Sequence, residues 1–346
     1  TRPHHRLPAT LPPMEAQTEA ELPLGEGWQY EPKWDGFRCL AFVRSGEVEL
    51  MSKSGKPLGR YFPEVAAGLT ALPDCVLDGE LIIPTGSSLS FEALQLRLHP
   101  AVSRIARLSK ETPALLMLFD CLEAPDTGAL AQQSLDVRRA ALERLVAAHP
   151  NPVLRLSPFT FAGKAAADWL KRAGGALDGV VAKHRDAPYR PGERAMVKVK
   201  RLRTADCVVG GFRYASRGGE VGSLLLGLYD EAQLLHHVGF TAGFAALDKG
   251  ELTRNLESLV EAPGFTGDAP GGPSRWANAR SAEWQPVRPE LIAEVRYDHV
   301  TGRRFRHGTG FLRWRPDKTP RQCTFDQLQQ EGRPAVVKLA LKAATR

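Results

Sequence analysis

Short apolar runs and stretches of helical spacing follow one another along the first two hundred residues. Runs with the length and composition of strands occupy residues 37–43, 48–51, 76–83, 115–122, 178–183 and 196–200. Helical spacing occurs in residues 63–72, 91–98, 135–148 and 165–173. The pattern predicts a first domain of the α+β class.

The pattern changes after Arg203. Short apolar runs joined by glycine-rich segments lie at residues 207–212, 223–229, 234–238, 291–300 and 311–314, and residues 246–260 have helical spacing. A small β-barrel with an inserted helix fits this arrangement better than βαβ units do. Since the start of the chain is proline-rich and aperiodic, we expect an N-terminal tail or strap (1–27), a first domain (28–202) and a barrel domain (203–346).

Composition is that of a soluble globular protein. Of the 346 residues, 43% are hydrophobic and 25% are charged, which is enough apolar material for a buried core. The sequence contains neither a signal peptide nor an apolar run of membrane-spanning length. Its five cysteines are widely spaced without a Cys-x-x-Cys pair, which argues for reduced thiols and against a zinc site. We therefore expect a cytoplasmic protein without a membrane partner.

Positive charge is concentrated in the second part of the chain. Residues 1–200 hold 25 basic and 23 acidic residues, whereas residues 201–346 hold 21 and 16, and the whole chain carries +7. Basic residues outnumber acidic ones by eight to two in residues 183–203 and by seven to one in residues 303–321. Such clusters favour a polyanionic partner, although a solvated basic surface explains them at least as well when they are taken alone.

The candidate chemistry begins at residues 31–38, which read Glu-Pro-Lys-Trp-Asp-Gly-Phe-Arg. This stretch surrounds Lys33 with charged neighbours, and a lysine in a polar pocket can lose its proton and attack an electrophile. Gly36 allows the backbone to turn or to approach a ligand closely. An ordinary surface turn before a strand explains the stretch equally well, so the assignment depends on the sequence downstream.

Lys33 opens a Lys-x-Asp-Gly sequence that resembles the signature of the covalent nucleotidyltransferases, the superfamily of DNA ligases, RNA ligases and mRNA capping enzymes. Further sequences follow in that superfamily's order, namely residues 78–80, 119–120, 178–183, 198–200 and 313–318. The sequence of residues 311–318 is similar to that of small bacterial ATP-dependent DNA ligases of the LigC and LigD type. The resemblance implies an ATP-grasp-like nucleotidyltransferase (adenylation) domain with antiparallel sheets and flanking helices, followed by an OB-fold barrel.

This resemblance implies a catalytic role for six residues. Lys33 would attack the α-phosphate of ATP and carry AMP covalently, after release of pyrophosphate. Lys198 and Lys200 would meet the charge on that phosphate and, with Arg38, lower the pKa of the attacking lysine. The residues implied to orient the pyrophosphate are Arg315, Asp317 and Lys318.

A nucleotide and a metal ion are implied as cofactors. The family's nucleotide-binding positions correspond to Glu31, Lys33, Asp35, Arg38, Lys53, Glu80, Phe119, Val181, Lys183, Lys198 and Lys200. Phe119 would stack on adenine, with Val180 or Val181 on the other face, and Glu31 would accept a hydrogen bond from the adenine amine. Glu80 and Asp178 would bind Mg²⁺ or Mn²⁺ or the ribose hydroxyls.

Two positions depart from the superfamily's usual pattern. Lys53 stands where an arginine is usual, so the charge is kept but the two-pronged geometry is lost. Asp178 stands where many relatives have glutamate, and its shorter side chain favours a water-bridged metal contact.

The predicted function is the sealing of 3′-OH/5′-phosphate nicks in duplex DNA, through a lysyl-AMP and a DNA-adenylate, in DNA repair. We expect a monomer acting on nucleoid DNA in a bacterium, with a repair polymerase or an end-joining protein as a further partner. Arg303, Arg304 and Arg306 would contact DNA phosphates. Two alternatives stay open: an RNA ligase or capping-type nucleotidyltransferase, and a non-catalytic nucleic-acid-binding protein, which the intact charged positions disfavour.

Overall fold

Strands and helices of the computed structural model fall into two compact units, which divide between Arg201 and Leu202. The structure describes residues 6–86, 88–172, 177–216, 219–244, 247–271 and 283–328. Two predicted helical positions, Ala173 and Ala246, lie outside these described residues. So do residues 1–5 of the predicted tail and residues 329–346 of the predicted barrel domain.

Two sheets organise the first unit. Its strands are β1 (Ala16–Thr18), β2 (Trp28–Trp34), β3 (Phe37–Arg44), β4 (Glu47–Ser52), β5 (Cys75–Ile82), β6 (Pro84–Thr85), β7 (Ser88–Leu89), β8 (Leu115–Ala124), β9 (Gly128–Ala129), β10 (Leu154–Leu156), β11 (Leu177–His184) and β12 (Met196–Lys200). One sheet has the order β1-β12-β11-β2, and the other has the order β10-β8-β5-β3-β4, with β9 beside β8. Strands β6 and β7 form a separate hairpin.

Helices accompany the larger sheet and the loops beside it. They are α1 (Pro63–Leu69), α2 (Phe91–Arg97), α3 (Val102–Glu111), α4 (Leu135–Ala148) and α5 (Gly163–Lys171). On α4, Leu142 and Leu145 are buried in the same core as Leu77 and Leu118 of the larger sheet. Burial of each such side chain stabilises the fold by roughly 1.5–3 kcal/mol, so this core fixes the strands that carry the site.

The α+β class predicted for this unit is confirmed, with differences in individual elements. Strand β2, which carries Lys33, lies at a sheet edge. Pro32 can therefore occupy a strand, because an edge strand needs no hydrogen bond from its missing N–H. Helix α3 was not predicted, since Ile105 is its one residue buried from solvent. The sheets are mainly antiparallel, but β1–β12 and β10–β8 pair in parallel.

The second unit is a barrel. Its elements are β13 (Arg203–Tyr214), β14 (Val221–Tyr229), β15 (Leu235–Gly243), α6 (Lys249–Ser258), β16 (Gln285–Pro286), β17 (Ile292–Tyr297), β18 (Val300–Thr301), β19 (Arg304–Phe305) and β20 (Thr309–Trp314). The strands pair in the order β14-β15-β20-β17-β13, and β13 also pairs with β14, which closes the ring. Five strands closed in this way, with a helix between β15 and β17, match the predicted OB-fold.

All five cysteines are buried, on strands of the two cores or beside them. Burial raises the pKa of Cys75 to about 12 and that of Cys323 to about 11. Across the part of the chain that the structure describes, every helix is too short or too polar to cross a membrane.

Candidate active site

A cavity of about 1140 Å³ opens in the first unit and gathers most of the predicted nucleotide-binding residues. Its wall includes Glu31, Lys33, Arg38, Lys53, Glu80, Phe119, Val181, Lys183 and Lys198. The chain passes from one sheet to the other at Gly36, between β2 and β3. A side chain at Gly36 would place its Cβ 2.2 Å from the carbonyl oxygen of Leu81 on β5, so the close approach of this connection to β5 requires glycine.

Lys33 lies on β2 with its amine at the cavity wall. Its Nζ donates a hydrogen bond to Oδ2 of Asp178, and Nζ of Lys200 lies 3.3 Å from the same oxygen. The pairing of β11 with β2 shifts register at Asp178, between Leu177 and Gly179. This β-bulge directs the buried Asp178 carboxylate toward the two lysines, as bulges next to functional sites commonly do.

Lys198 adds a third amine to this group and lines the cavity with Lys33, whereas Lys200 lies outside the cavity wall. Lys198 lies two residues before Lys200 on β12, so both side chains leave the same face of the strand. Burial, and then the positive charges of Lys33, Lys200 and Lys53, lower the pKa of Lys198. Such a concentration of positive charge suits the phosphates of a nucleotide.

Glu31 and Lys183 form an ion pair at the buried end of the cavity. Nζ of Lys183 lies 2.9 Å from Oε2 of Glu31, and both side chains are at most 5% exposed. The Nε2 amide of Gln29 donates to the other oxygen of Glu31 at 2.8 Å. The carboxylate is therefore fixed in orientation, which suits it to accept a hydrogen bond from an exocyclic amine.

Arg38 is held from behind by Asp78, a fully buried residue that the sequence did not single out as a site residue. The guanidinium donates from Nε to Oδ1 at 2.6 Å and from Nη2 to Oδ2 at 2.7 Å. A bidentate pair of this kind fixes both position and plane. The guanidinium carbon lies 4.7 Å from the centroid of the Phe119 ring.

The Phe119 ring, predicted to stack on adenine, is 8% exposed at the cavity wall. Nζ of Lys183 also lies over the ring, 4.6 Å from its centroid. Two cations thus flank the aromatic surface offered to a base. Of the two valines considered for the opposite face, Val181 lines the cavity, whereas Val180 is buried in the core.

Glu80 supplies a carboxylate to the cavity wall. Burial raises the pKa of Glu80 to about 7, with Asp35 and Asp78 adding to the effect and Arg38 and Lys33 opposing it. Within the described residues, no side chain donates a hydrogen bond to this carboxylate. It is therefore available to a cation or a ribose hydroxyl.

The carboxylates described above fit one mode of divalent-ion binding. The described residues contain no group of three or more His, Cys, Asp or Glu side chains placed to hold a metal. Mg²⁺, however, is commonly bound by one or two carboxylates with water and substrate phosphates completing its shell. Glu80 and Asp178 supply two such carboxylates.

The N-terminal segment contributes residues that the sequence did not single out. Pro13, Met14, Glu15 and Ala16 line the cavity, because β1 adds to the sheet beside β12. Oε2 of Glu15 lies 2.9 Å from Nζ of Lys53, so an acid from this segment faces a lysine predicted to bind the nucleotide. Asp35 lies beside the cavity rather than on its wall, near enough to Glu80 to affect its titration.

The predicted pyrophosphate-orienting residues form a cluster in the second unit. Nη1 of Arg315 lies 3.0 Å from Oδ1 of Asp206, and Nζ of Lys318 donates to Oδ2 of Asp206. Arg315 also donates from Nε and Nη2 to the two oxygens of Asp317, at 2.9 and 2.8 Å. Sequence reasoning missed Asp206, which is 6% exposed on β13 and about 110 residues from its partners.

Together, a closed OB-type barrel and a nucleotidyltransferase unit with a lysine-lined cavity define the class of covalent nucleotidyltransferase ligases. Family comparison narrows this class: the "ATP dependent DNA ligase domain" matches residues 13–200 and the "ATP dependent DNA ligase C terminal region" matches residues 217–318. The chain belongs to the ATP-dependent DNA ligases.

Bacterial ligases are among its relatives. DNA ligase C2 of Mycolicibacterium smegmatis is 46% identical over 93% of this chain and 96% of its own length. A multifunctional non-homologous end joining DNA repair protein, LigD of Mycobacterium tuberculosis, is 32% identical over 85% of this chain and 37% of its own. A solved structure of a Lig E DNA ligase covers 87% of this chain and 100% of its own with a TM-score of 0.55 and 21% identity, which shows a shared fold.

These comparisons favour a DNA ligase over the RNA ligase, capping and non-catalytic alternatives. As a member of this family the protein is an enzyme that uses ATP and a divalent metal ion to join DNA.

Proposed function

We propose that the cavity binds ATP and that Lys33 takes AMP from it to activate and seal nicks in duplex DNA. The observation that carries the proposal is the position of the Lys33 amine on the wall of a cavity of about 1140 Å³, beside Lys198 and Glu80. A cavity of this order accommodates a small molecule of nucleotide size.

In the first step, Nζ of Lys33 attacks the α-phosphorus of ATP. An N–P bond forms, the bond from phosphorus to the pyrophosphate breaks, and the amine loses a proton. Because Lys33 is hydrogen-bonded to Asp178, its amine must leave this carboxylate before it reaches phosphorus. Lys198 and Lys200 then stabilise the negative charge that develops on the α-phosphate.

Mg²⁺ or Mn²⁺, held by Glu80 and Asp178, would neutralise phosphate charge while ATP is bound. Asp178 could take up this role when the two lysines that now contact it turn toward the phosphates.

Glu31, at the buried end of the cavity, selects adenine. Glu31 accepts from the exocyclic amine of adenine, while guanine presents an acceptor at that position and is rejected. Phe119 and Val181 contact the two faces of the base. Asp35, Arg38, Lys53 and Lys183 complete the nucleotide site that the family resemblance implies.

Two further transfers complete the reaction. A phosphate oxygen of the 5′-phosphate at the nick attacks the phosphorus of lysyl-AMP, so the N–P bond breaks and a DNA-adenylate forms. The 3′-hydroxyl then attacks the 5′-phosphate phosphorus, loses its proton, and AMP leaves. The products are a phosphodiester bond, free AMP and the regenerated lysine.

The second domain is proposed to act twice. Arg315, Asp317 and Lys318 orient the pyrophosphate in the first step, and a hinge at residues 200–203 then releases the barrel domain so that nicked DNA can dock. Arg303, Arg304 and Arg306 contact DNA phosphates, for which a basic barrel surface is suited.

The biological setting is proposed from relatives. The name of the LigD relative associates that protein with end joining and DNA repair, which supports a repair role with an end-joining or polymerase partner here. We propose that the enzyme works as a monomer on nucleoid DNA in the bacterial cytoplasm.

Mass spectrometry of the purified protein tests the proposal. We expect an adduct of one AMP on Lys33 after incubation with ATP and metal but not with GTP, and transfer of this AMP to nicked DNA. Lys33→Ala and Lys33→Arg should both abolish labelling, the arginine while keeping the positive charge at Asp178. The control Lys164→Ala, on the exposed surface of α5, should label normally. An adduct that persists in Lys33→Arg would overturn the assignment.

A further inference from the structure

The N-terminal segment that lines the cavity is attached by its backbone. Its strand β1 pairs in parallel with β12, so that Ala16 lies opposite Met196 and Thr18 opposite Lys198. Glu15 N–H donates to the carbonyl of Glu193 at 2.8 Å, and Met196 N–H donates back to Glu15 at 3.1 Å. Within the N-terminal segment 1–27, we refer to residues 13–18 alone as the strap from here on. The strap thus forms one wall of the cavity.

Tyr189 connects the strap to the residues behind Arg38. Its hydroxyl donates to Oδ2 of Asp78 at 2.7 Å and accepts from the backbone N–H of Met14 at 2.8 Å. Arg38 donates from Nη2 to the backbone carbonyl of Met14 at 3.2 Å, in addition to its bidentate contact with Asp78. Both polar backbone atoms of Met14 are therefore held, one by Tyr189 and one by Arg38.

The hydrogen bonds form a closed ring that runs from Tyr189 to Asp78, Arg38, Met14 and back. Tyr189 is 1% exposed and Asp78 is fully buried, so water does not compete for these groups. The direction of each bond is fixed, because Met14 N–H can only donate and the hydroxyl proton must then go to Asp78. Burial, followed by the charge of Asp78, raises the pKa of Tyr189 well above its ordinary value, so the hydroxyl keeps its proton.

We propose that Tyr189 is a positioning residue for nucleotide capture: its hydroxyl holds the strap and Arg38 in register, so that the cavity wall is formed before ATP enters. This inference rests on the proposed function, in which the cavity is the ATP site. A cavity that is formed in a fraction of the molecules binds its ligand more weakly by that fraction. Nucleotide that is already attached to Lys33 does not need to be captured, so later steps depend less on the ring.

Tyr189→Phe removes the hydroxyl alone. Because Arg38 still occupies both oxygens of Asp78, we expect the variant to fold. The hydroxyl makes two buried hydrogen bonds, and the one that holds the strap is the bond from Met14 N–H. Loss of that bond typically corresponds to a factor of about 5–10 in an equilibrium. We therefore expect KM for ATP in the adenylation step to rise about 5–10-fold, with little change in the maximal rate, and single-turnover sealing by the pre-adenylated variant to remain near wild type.

Tyr30→Phe is a matched control. Tyr30 is also 1% exposed, and its hydroxyl donates to the backbone carbonyl of Pro23 at 2.7 Å, upstream of the same strands but away from the cavity wall. Its loss should lower thermal stability without raising KM for ATP. A direct binding measurement, the Kd for ATP of Lys33→Ala protein with and without Tyr189→Phe, removes chemistry from the comparison and should show the same 5–10-fold change.

Three results would overturn the inference. One is a wild-type KM and Kd for Tyr189→Phe, another is an equal rise in KM for Tyr30→Phe, and the third is sealing by the pre-adenylated variant that is slowed as much as adenylation. In each case AMP labelling of Lys33 in the wild-type protein would leave the proposed function standing. Absence of that labelling would instead refute the proposed function itself.

Discussion

Asp206, on β13, holds Arg315, which directly follows β20 of the same barrel, by two oxygens at 3.0 and 3.1 Å from Nη1. The pair lies within the second unit, so the guanidinium is oriented before any ligand arrives. Lys318 shares the same carboxylate. One buried acid therefore sets the direction of both cations proposed to orient pyrophosphate.

We expect Arg315→Ala and Lys318→Ala to slow ATP-dependent adenylation by about 100-fold, since each removes a cation aimed at a charged leaving group. Asp206→Asn should slow the same step, because the cations lose their common anchor. Pyrophosphate is absent once AMP is attached, so pre-adenylated variants should seal a nick in a single turnover at close to the normal rate. Rapid-quench assays of the two reactions make the comparison.

Arg313→Ala is the control for this prediction, since Arg313 lies on β20, two residues before Arg315, and donates to Oε2 of Glu294 at 2.5 Å rather than to Asp206. Equal impairment of the pre-adenylated and ATP-dependent reactions in Arg315→Ala would identify a DNA contact or a support of the fold. A DNA contact would also reduce the salt dependence of nick binding by about one unit of slope.

Glu80→Gln should change how the stability of the free protein depends on pH. The folded-state pKa of Glu80 is raised to about 7, so folding favours the protonated acid, and this contribution is complete below about pH 4 and lost as the pH rises through 7. After allowance for solvent screening, we expect Glu80→Gln to gain about 1–2 kcal/mol over wild type between pH 5 and pH 8. Urea unfolding of both proteins at pH 5 and pH 8 measures this difference in unfolding free energy. The same change in unfolding free energy with pH in both proteins would contradict the prediction.

His237 should make the barrel sensitive to acid. Arg304 can only donate, and its Nη2 lies 2.9 Å from Nδ1 of His237, so the imidazole accepts and is neutral. Burial, and then the charges of Arg304 and Arg213, lower the pKa of His237 to about 3. The contribution of neutral His237 to the free energy of unfolding is complete above about pH 6.5. It is lost as the pH falls, by about 2 kcal/mol at pH 5.

His237→Asn keeps an acceptor near Nδ1 but does not titrate, so the variant should lose less stability than wild type between pH 7 and pH 5. Unfolding of the barrel followed by tryptophan fluorescence provides the measurement. An identical loss in both proteins would show that other groups cause the acid sensitivity.

The buried pair of Glu31 and Lys183 should show strong coupling. Lys183→Met leaves the Glu31 carboxylate buried without its cation, which typically costs about 3–5 kcal/mol. Adding Glu31→Gln removes the charge while Gln29 can still donate to the amide oxygen, so the double variant should recover much of the stability. A double-mutant cycle in urea measures the coupling, and additive losses would refute it.

The sequence predicted the helices and strands that are determined by residues close together in the chain. Helix Leu135–Ala148 and strand Met196–Lys200 have the predicted bounds because their periodicity is regular and their ends coincide with changes of pattern. Strand Trp28–Trp34 was missed, since Pro32 conceals an edge strand in a sequence that otherwise resembles a turn.

The site residues divide in the same way, into those that a short stretch of sequence reveals and those that only the folded chain brings together. Lys33, Glu31 and Arg38 could be found because one short stretch contains all three. Tyr189 meets Asp78 across 111 residues and Met14 across 175, and Arg315 meets Asp206 across 109. No local pattern encodes such distances, so the side chains that orient the charged residues became visible in the folded chain.

The burial of all five cysteines makes the protein a convenient background for spectroscopic labelling. Thiol reagents react with an exposed thiolate, and none of Cys39, Cys75, Cys121, Cys207 or Cys323 offers one at neutral pH. A cysteine introduced on the surface of each unit would therefore accept a fluorophore without prior removal of the native thiols. Distances between two such probes could then be followed through adenylation and nick sealing in the otherwise unaltered enzyme.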